Sequence, residues 1–338
     1  MKKYSGIDLH SNNNLTSVID ENDRVLFAKR LPNELSRVLE ALEAHRDEMV
    51  GVVVESTYNW YWLVDGLQAA GYKVHLANAA AIKQYSGLKR SDDKSDAAHL
   101  AHLLRLGILP TGYIYPREQR GLRDLARRRM QLVRQRSMHV LAVENVQARE
   151  TGSRMTGDKI KRLSVQAVNE LGYDAEVARN IAANVAVIGA LNQQIAQLEK
   201  YLLEQVGLTA QYNVLTSAPG VGKVLATVIM LETGSIERFA AVGNYASYAC
   251  CVDSVRTSND KKKGRGNKRN GNQYLAWAFI EAANMARRWS AEAKRFHERK
   301  SSQTNAIVAT KALAHKLARA CYHMLRTGER FQMQRCFG

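Results

Sequence analysis

Between residues 4 and 77 the apolar pattern switches between the strand and helix periods in a set order, and that order restricts the fold more than any other feature of the chain. Residues 4–8, 15–20 and 24–29 read as short strands, the last two joined by a turn at Glu21-Asn22-Asp23, which makes an antiparallel meander. A helix over 33–46 follows, then the fully apolar strand 51–55, a helix over 58–70, a turn at Gly71 and a short strand over 73–77. Continuous apolar strands separated by helices belong to a sheet covered on both faces. The class is α/β, with an all-helical pattern (α) after it.

Three antiparallel strands followed by β-α-β crossovers is the order of the ribonuclease-H-like fold. A plain doubly wound sheet would open with a strand, a Gly-rich loop and a helix, and no such loop follows Asp8. Four carboxylates mark this region. Asp8 ends the first strand, Glu55 ends the apolar run Gly51-Val-Val-Val-Glu, and Asp93 and Asp96 open a helical stretch, where residues three apart share a face. A carboxylate at the end of a buried strand is costly unless something positive sits beside it. Converging carboxylates suit a hard divalent cation, Mg²⁺ with Mn²⁺ as the alternative, which keeps its other positions for water or phosphate oxygens. Asp92 and Asp96 also share a helix face, so spacing alone leaves Asp92 and Asp93 both open. His99 and His102 follow on the same helix, but Mg²⁺ prefers oxygen over imidazole. Tyr58, Trp60, Tyr61 and Trp62 read as packing residues more than base-stacking ones.

The 338-residue chain carries a net charge of +17, unevenly spread. Residues 1–116 hold 13 basic and 14 acidic side chains, whereas residues 117–338 hold 36 and 18. The near-neutral part carries the four acids, and the remainder offers an electrostatic surface to a polyanion such as DNA. No apolar run is long enough to span a bilayer. The four cysteines, Cys250, Cys251, Cys321 and Cys336, form neither a CxxC pair nor a disulfide framework, so a cytoplasmic protein is expected.

From about residue 118 the period becomes helical. Residues 120–150 form a basic helix with Arg127, Arg128, Arg129 and Arg134 as candidate nucleic-acid contacts. After a turn region with Gly152 and Gly157, a second helix over 176–206 repeats Ile181, Ile188, Ile195 and Leu202 every seventh residue, with Leu191 and Leu198 on the same seam. That is a coiled-coil pattern, expected to form a helical hairpin for dimerisation, for gripping nucleic acid, or both. Pro219-Gly220-Val221-Gly222-Lys223, between two apolar segments, looks like a helix-hairpin-helix turn whose glycines let backbone N–H groups approach a phosphate. It is no Walker A loop, since Val224 follows Lys223 and the first glycine is missing. Three domains are expected: 1–117, 118–207 and 208–338.

Residues 256–274 gather Lys261, Lys262, Lys263, Arg265, Lys268 and Arg269 with three glycines just after Ser258. As a solvated loop this tract would grip a phosphate backbone. It also surrounds Ser258 with the charge that a serine nucleophile needs when it attacks a phosphodiester. Such an attack keeps the bond energy in a phosphoseryl link, so a strand can be rejoined without ATP. Ser254 and Thr257 are neighbouring hydroxyls, and Ser258 is preferred because it opens the basic, glycine-rich tract.

Gly-Ile-Asp8, Val-Val-Glu55-Ser-Thr, Gly-Leu-Lys-Arg-Ser-Asp-Asp93-Lys-Ser-Asp96-Ala, Pro219-Gly-Val-Gly222-Lys, Ser258-Asn with its basic tail, and Ala312-Leu-Ala-His-Lys-Leu-Ala occur in this order along nearly the whole chain. The chain thereby resembles the DEDD transposases of the insertion-sequence one-ten family, more narrowly its eleven-eleven group, which is related to pilin-gene invertases. The resemblance implies a RuvC-like N-terminal domain and a C-terminal transposase domain with a catalytic serine. It implies that Asp8, Glu55, Asp93 and Asp96 bind Mg²⁺ and act with Ser258 in a composite site built across a dimer or tetramer. It also implies a bacterial, DNA-associated enzyme guided by a non-coding RNA from its own element. The competing expectation is a RuvC-like, structure-specific DNA nuclease in which metals activate water and Ser258 merely contacts phosphate.

Overall fold

The structure, a computed structural model, describes residues 1–82, 93–252, 255–258, 261–265 and 271–338, and of residues 93–95, 255–258, 262, 264 and 265 it describes the backbone alone. The chain divides into two compact units, Met1–Arg117 and Glu118–Gly338.

In the first unit, β1 (Lys3–Leu9), β2 (Asn13–Asp20) and β3 (Val25–Pro32) form the antiparallel meander. β4 (Met49–Glu55) and β5 (Val74–Ala77) then extend the sheet in parallel from β1, and the two-residue strand β6 (Thr111–Gly112) closes the edge antiparallel to β5. The order β3-β2-β1-β4-β5-β6 fits a ribonuclease-H-like mixed sheet. A two-residue strand shows no period, which is why β6 is invisible in the sequence.

One face of the sheet is closed by α1 (Leu35–Glu43) and α2 (Tyr61–Ala69). Ile7, Leu9, Val52 and Val54 pack there with Val38, Leu42, Leu63, Val64 and Trp60. Fully burying one such side chain contributes about 1.5–3 kcal/mol. Both helices begin later than their periodicity predicts, because Asn33 and Asn59 are spent on loop contacts instead. Each donates a side-chain hydrogen bond to the His10 carbonyl, at 3.0 and 2.9 Å.

The other face is covered by α4 (Asp93–Arg105), reached after the short α3 (Ala79–Ile82). Tyr4, Ile19 and Ala101 pack in one cluster on that side, and Val53, Ala77 and Leu100 in another. The approach is closest at Gly6, where a Cβ would lie 2.0 Å from the Ala97 carbonyl oxygen and 2.9 Å from the Ala101 nitrogen. Only a residue without a side chain lets the helix backbone lie against the strand here.

The second unit is mostly helical. Its long helices α5 (Arg117–Thr151) and α8 (Ala175–Val206) run antiparallel, bracketing the short α6 (Gly157–Lys161) and α7 (Val165–Asn169). Arg129 pairs with Glu199, Arg136 Nη1 donates to Asn192 at 2.8 Å, and His139 Nδ1 lies 2.9 Å from the Asn184 carbonyl oxygen, an order that fixes the antiparallel register. Ile181, Ile188, Ile195 and Leu202 are all buried. Ile181 and Ile188 pack with Val140, Val143 and Val146 of α5, and Leu202 with Ala126 and Met130. These four positions of the heptad seam are therefore covered within one chain, while Leu191 and Leu198 are half-buried. α9 (Ala210–Leu215), α10 (Lys223–Thr233), α11 (Val242–Tyr248), α12 (Gln273–Trp289), α13 (Ala291–Gln303), α14 (Ala306–Thr327) and α15 (Met333–Phe337) complete the unit around a core that Tyr245, Phe279, Leu313 and Leu317 fill. No helix among the described residues is long and apolar enough to cross a membrane.

The far end of α4 is fastened to the β2–β3 turn. Asp23, at φ +63°, accepts from Arg105 Nε and Nη2 at 2.7 and 2.5 Å, and its Oδ1 lies 2.8 Å from His102 Nδ1. Burial raises the Asp23 pKa, but the hydrogen bonds from His102 and Arg105 outweigh it and hold the carboxyl below its ordinary value. A depressed carboxylate pKa contributes stability that is present above the unfolded value and is lost as pH falls through the folded one. Asp23→Asn keeps a residue that tolerates positive φ. It is therefore expected to melt below wild type at neutral pH, with the gap closing as the pH drops below about 4. A gap that stays constant across thermal melts from pH 7 to acid would show that the ion pairs contribute nothing.

Candidate active site and nucleic-acid interface

β1 and β4 run side by side in parallel with Ile7 opposite Val54, so Asp8 and Glu55 follow at the same level, at the carboxyl ends of neighbouring strands. Side chains alternate along a strand. Ile7 and Val54 enter the core under α1 and α2, and Asp8 and Glu55 therefore belong to the α4 face. On that face Tyr4 meets Ala101, and Gly6 meets Ala97 and Ala101. Moving along β1 toward Asp8 thus moves along α4 toward its first turn, where Asp96 precedes Ala97. Asp8 is buried, whereas Glu55 and Asp96 are half-buried.

Asp93 is the first residue of α4, one turn beyond Asp96, and its side chain lies outside the described part. Asp92, the competing ligand, lies outside the described residues altogether. Among the described residues no three of His, Cys, Asp and Glu already close into a metal cage. The donor set of Asp8, Glu55 and Asp96 is all oxygen, and it fits a hard cation that completes its shell with water or phosphate.

His10 is a residue the sequence reasoning passed over. Its Nε2 lies 3.4 Å from Asp8 Oδ2 at the mouth of the site. Its carbonyl takes the hydrogen bond from Asn59, whose own carbonyl oxygen accepts from Thr57 Oγ1 at 2.9 Å. The loop after Glu55 is thereby tied to the loop after Asp8, which keeps the two carboxylates together. The Asp8-x-His10 spacing was a usable signal, since residues two apart share a side of an extended chain. His102, in contrast, is engaged by Asp23. Trp60 is buried in the core, while Tyr58 is exposed.

In the second unit Ser258 ends β7 (Val255–Ser258) and pairs with Lys261 at the start of β8 (Lys261–Arg265). The tract expected as a basic loop thus holds two paired antiparallel strands, with Ser258 at the end of the first. Lys261 and Lys263 are exposed. The side chains of Ser258, Thr257, Lys262 and Arg265 lie outside the described part, and Ser254, Lys268 and Arg269 outside the described residues.

A two-stranded hairpin is marginal by itself, and this one leaves a well-anchored stem. Gly271, at φ +92°, packs so tightly that a Cβ would lie 2.6 Å from Cys250 Sγ and 2.7 Å from the Tyr248 carbonyl oxygen. Asn272 donates its backbone N–H to that carbonyl at 2.6 Å and caps α12 by accepting from the amides of Tyr274 and Leu275. Its Nδ2 donates to Glu232 at 2.7 Å. Glu232 is only 1% exposed and is met from the other side by Arg127, whose Nε and Nη2 donate at 2.5 and 2.8 Å. Burial lowers the Arg127 pKa, but the hydrogen bonds and charge of Glu232 outweigh it and raise it above the usual value.

The arginine cluster is therefore not one surface. Consecutive residues stand about 100° apart around a helix, so Arg127, Arg128 and Arg129 cannot face one way. Arg127 holds Glu232 and Arg129 holds Glu199, which corrects their expected role as phosphate contacts. Arg128 and Arg134 are exposed. The glycine turn divides in the same manner. Gly220, at φ +79°, is fixed by packing, since a Cβ would lie 2.1 Å from the Ala282 carbonyl oxygen of α12. Gly222 and Lys223 are exposed at the start of α10, and a Cβ on Gly222 would meet no atom within 4 Å. An anion can approach the α10 amides there.

Residues 5–146 match the IS110 DEDD transposase model, and residues 212–298 match the model of the transposase IS116/IS110/IS902 family. No curated protein matches the chain in sequence.

The two kinds of arginine make different predictions. Arg127→Met leaves Glu232 buried beside Asn272 without its cation, and unfolding stability is expected to fall by about 3–5 kcal/mol in denaturant titration. Arg128→Gln with Arg134→Gln should leave stability within about 0.5 kcal/mol. It should flatten the plot of log affinity for duplex DNA against log salt by about 0.9 per phosphate contact removed. An unchanged slope would place both side chains off the nucleic acid.

Proposed function

Because the chain belongs to the IS110 family of transposases, we propose that it moves an insertion sequence by cutting and rejoining DNA through Ser258, and that it belongs to the family's eleven-eleven group. The observation that supports this most is that Asp8 and Glu55 stand level at the carboxyl ends of neighbouring strands, with Asp96 in the first turn of the helix that covers that face. Asp93 joins them by its place at the head of α4. These acids would hold Mg²⁺ or Mn²⁺, and the bound cation would supply neutralisation of the charge that builds on the phosphate oxygens.

The acids belong to the first compact unit and Ser258 to the second. On this reading the active centre is composite and is assembled in a homo-oligomer, dimer or tetramer. The Ser258 oxygen attacks phosphorus, a phosphoseryl bond forms, and the displaced DNA end leaves as a hydroxyl after taking up a proton. The reverse attack by a DNA hydroxyl on a new partner strand frees the serine, so no ATP is needed. Lys261, Lys262, Lys263, Arg265, Lys268 and Arg269 offset charge on the scissile phosphate, and Lys223 with the α10 amides of the helix-hairpin-helix turn holds the backbone nearby. A non-coding RNA from the element selects donor and target by base pairing, held in part by Arg128 and Arg134. The second unit serves as two modules, 118–207 and 208–338.

The rival reading is a metal-dependent, structure-specific nuclease with an activated water, and the acids alone would serve it equally. Trapping separates the two. Wild-type protein on a nicked substrate is expected to carry DNA through an alkali-labile bond that peptide mapping places at Ser258, and Ser258→Ala is expected to carry none. The water mechanism predicts free ends, and a loss in Ser258→Ala of one hydrogen bond worth about 0.5–1.5 kcal/mol, which is about tenfold or less in rate. DNA attached at Ser254 or Thr257 would move the nucleophile.

Asp8→Asn, Glu55→Gln and Asp96→Asn should each abolish strand exchange while retaining nucleic-acid affinity, and EDTA should reproduce the loss. A variant that recombines at near wild-type rate in Mg²⁺ would remove that residue from the ligand set.

A further inference from the structure

Away from the acids and the hairpin, a cleft of about 430 Å³ lies between α14 and the tail that ends in α15. Lys316, Arg319, His323 and Thr327 line it at spacings of three and four, so one face of α14 forms a wall. Arg330, Phe331 and Arg335 of the tail line it as well, together with Ala320 and Met324 of α14. The tail is built in place. The Phe331 amide donates to Ser217 Oγ at 2.9 Å, and Phe337 stacks within 6.1 Å of Phe296 and 6.4 Å of Phe331.

The charge in this cleft is unbalanced. Glu329 is its one acidic lining residue and is occupied by Arg335 at 3.0 Å. Lys316, Arg319 and Arg330 have no carboxylate partner among the described residues. The Lys316 ammonium rests over the rings of Phe296 and Phe337, at 5.3 and 5.8 Å. Cations gathered without acids repel one another, and a bound anion relieves that repulsion. The lining, however, also holds Ala320, Met324 and the aromatic Phe331, apolar surface that a bare phosphate or a carboxylate would leave unused. The volume suits one drug-sized body and excludes a duplex.

We propose that this cleft binds one unpaired nucleotide of a nucleic-acid strand, with phosphate on Arg319 and Arg330 and the base against Met324 and Phe331. Stacking of a base on an aromatic ring together with cations along the backbone is how single strands are held without reading their sequence. The inference rests on the transposase reading only for its ligand class, and its test does not involve strand exchange.

The experiment uses the full-length protein and a short labelled single strand, made once as DNA and once as RNA, in anisotropy titrations across salt. Arg319→Gln with Arg330→Gln is expected to weaken binding about tenfold near physiological salt and to flatten the log–log salt slope by about 0.7 for each contact removed. The stronger of the two strands identifies the source of the nucleotide. Lys200→Gln with Arg288→Gln removes the same charge from exposed positions outside the cleft and should leave affinity within about twofold. A 4-thiouridine or 4-thiothymidine in the strand should photo-crosslink to the peptides carrying Met324 or Phe331. Equal loss in both double variants, crosslinks mapped elsewhere, or inorganic phosphate competing as well as a mononucleotide would each overturn the cleft assignment. None of these would touch the phosphoseryl adduct at Ser258, so the two readings fail separately.

Discussion

The contact of α4 with β1 at Gly6 is the constraint from which the acid site follows. Packing helix backbone onto strand backbone sets the height of α4 along the sheet to within a fraction of a residue, because the Ala97 carbonyl can occupy one position only. With that height set, the first turn of α4, which carries Asp96, comes level with the ends of β1 and β4. Asp23 then holds the other end of the helix through Arg105 and His102. A helix pinned at both ends cannot slide, and a site whose ligands come from different elements depends on that. Filling Gly6 with even a methyl group would cost about 1–3 kcal/mol by overpacking and would move the helix that carries Asp96.

The second unit solves a comparable problem with a buried charge. A carboxylate as enclosed as Glu232 is unfavourable unless its oxygens are satisfied, and here Arg127 and Asn272 satisfy them together. Because Asn272 also caps α12 and bonds to Tyr248, the same carboxylate links α5, α10, α11 and α12 at the stem of the Ser258 hairpin. Such pairs contribute less net stability than their geometry suggests, since desolvation offsets the attraction. Their consequence is positional: Tyr248 and Asn272, on either side of the hairpin in sequence, are held together in the helical core.

Much of the architecture was legible before any coordinates. The strands of the first unit and the long helices followed from period and apolar content. The heptad isoleucines were rightly read as a buried seam, but not that the seam is filled by Val140, Val143 and Met130 of the same chain, since a seven-residue repeat carries no information about which helix faces it. The arginine triplet misled for a related reason. Charge counts treat Arg127, Arg128 and Arg129 alike, whereas the helix turns them to different partners. Gly220 and Gly222 look equivalent in the motif, yet one is locked against α12 and the other lies open.

The sequence by itself determined what is local: alternation that makes strands, spacing that makes helices, the chemical hardness of carboxylate oxygens, and the excess of cations beyond residue 116. Only the tertiary structure decided which groups meet. It brought Glu232 to Arg127 across 105 residues, Asp23 to Arg105 across 82, and Asn59 to His10 across 49. It turned a basic tract into two paired strands and set His10 beside Asp8. The physical reason is that a buried charge or an unfilled backbone contact selects its partner by where the packed core delivers it, and that delivery depends on the whole chain at once.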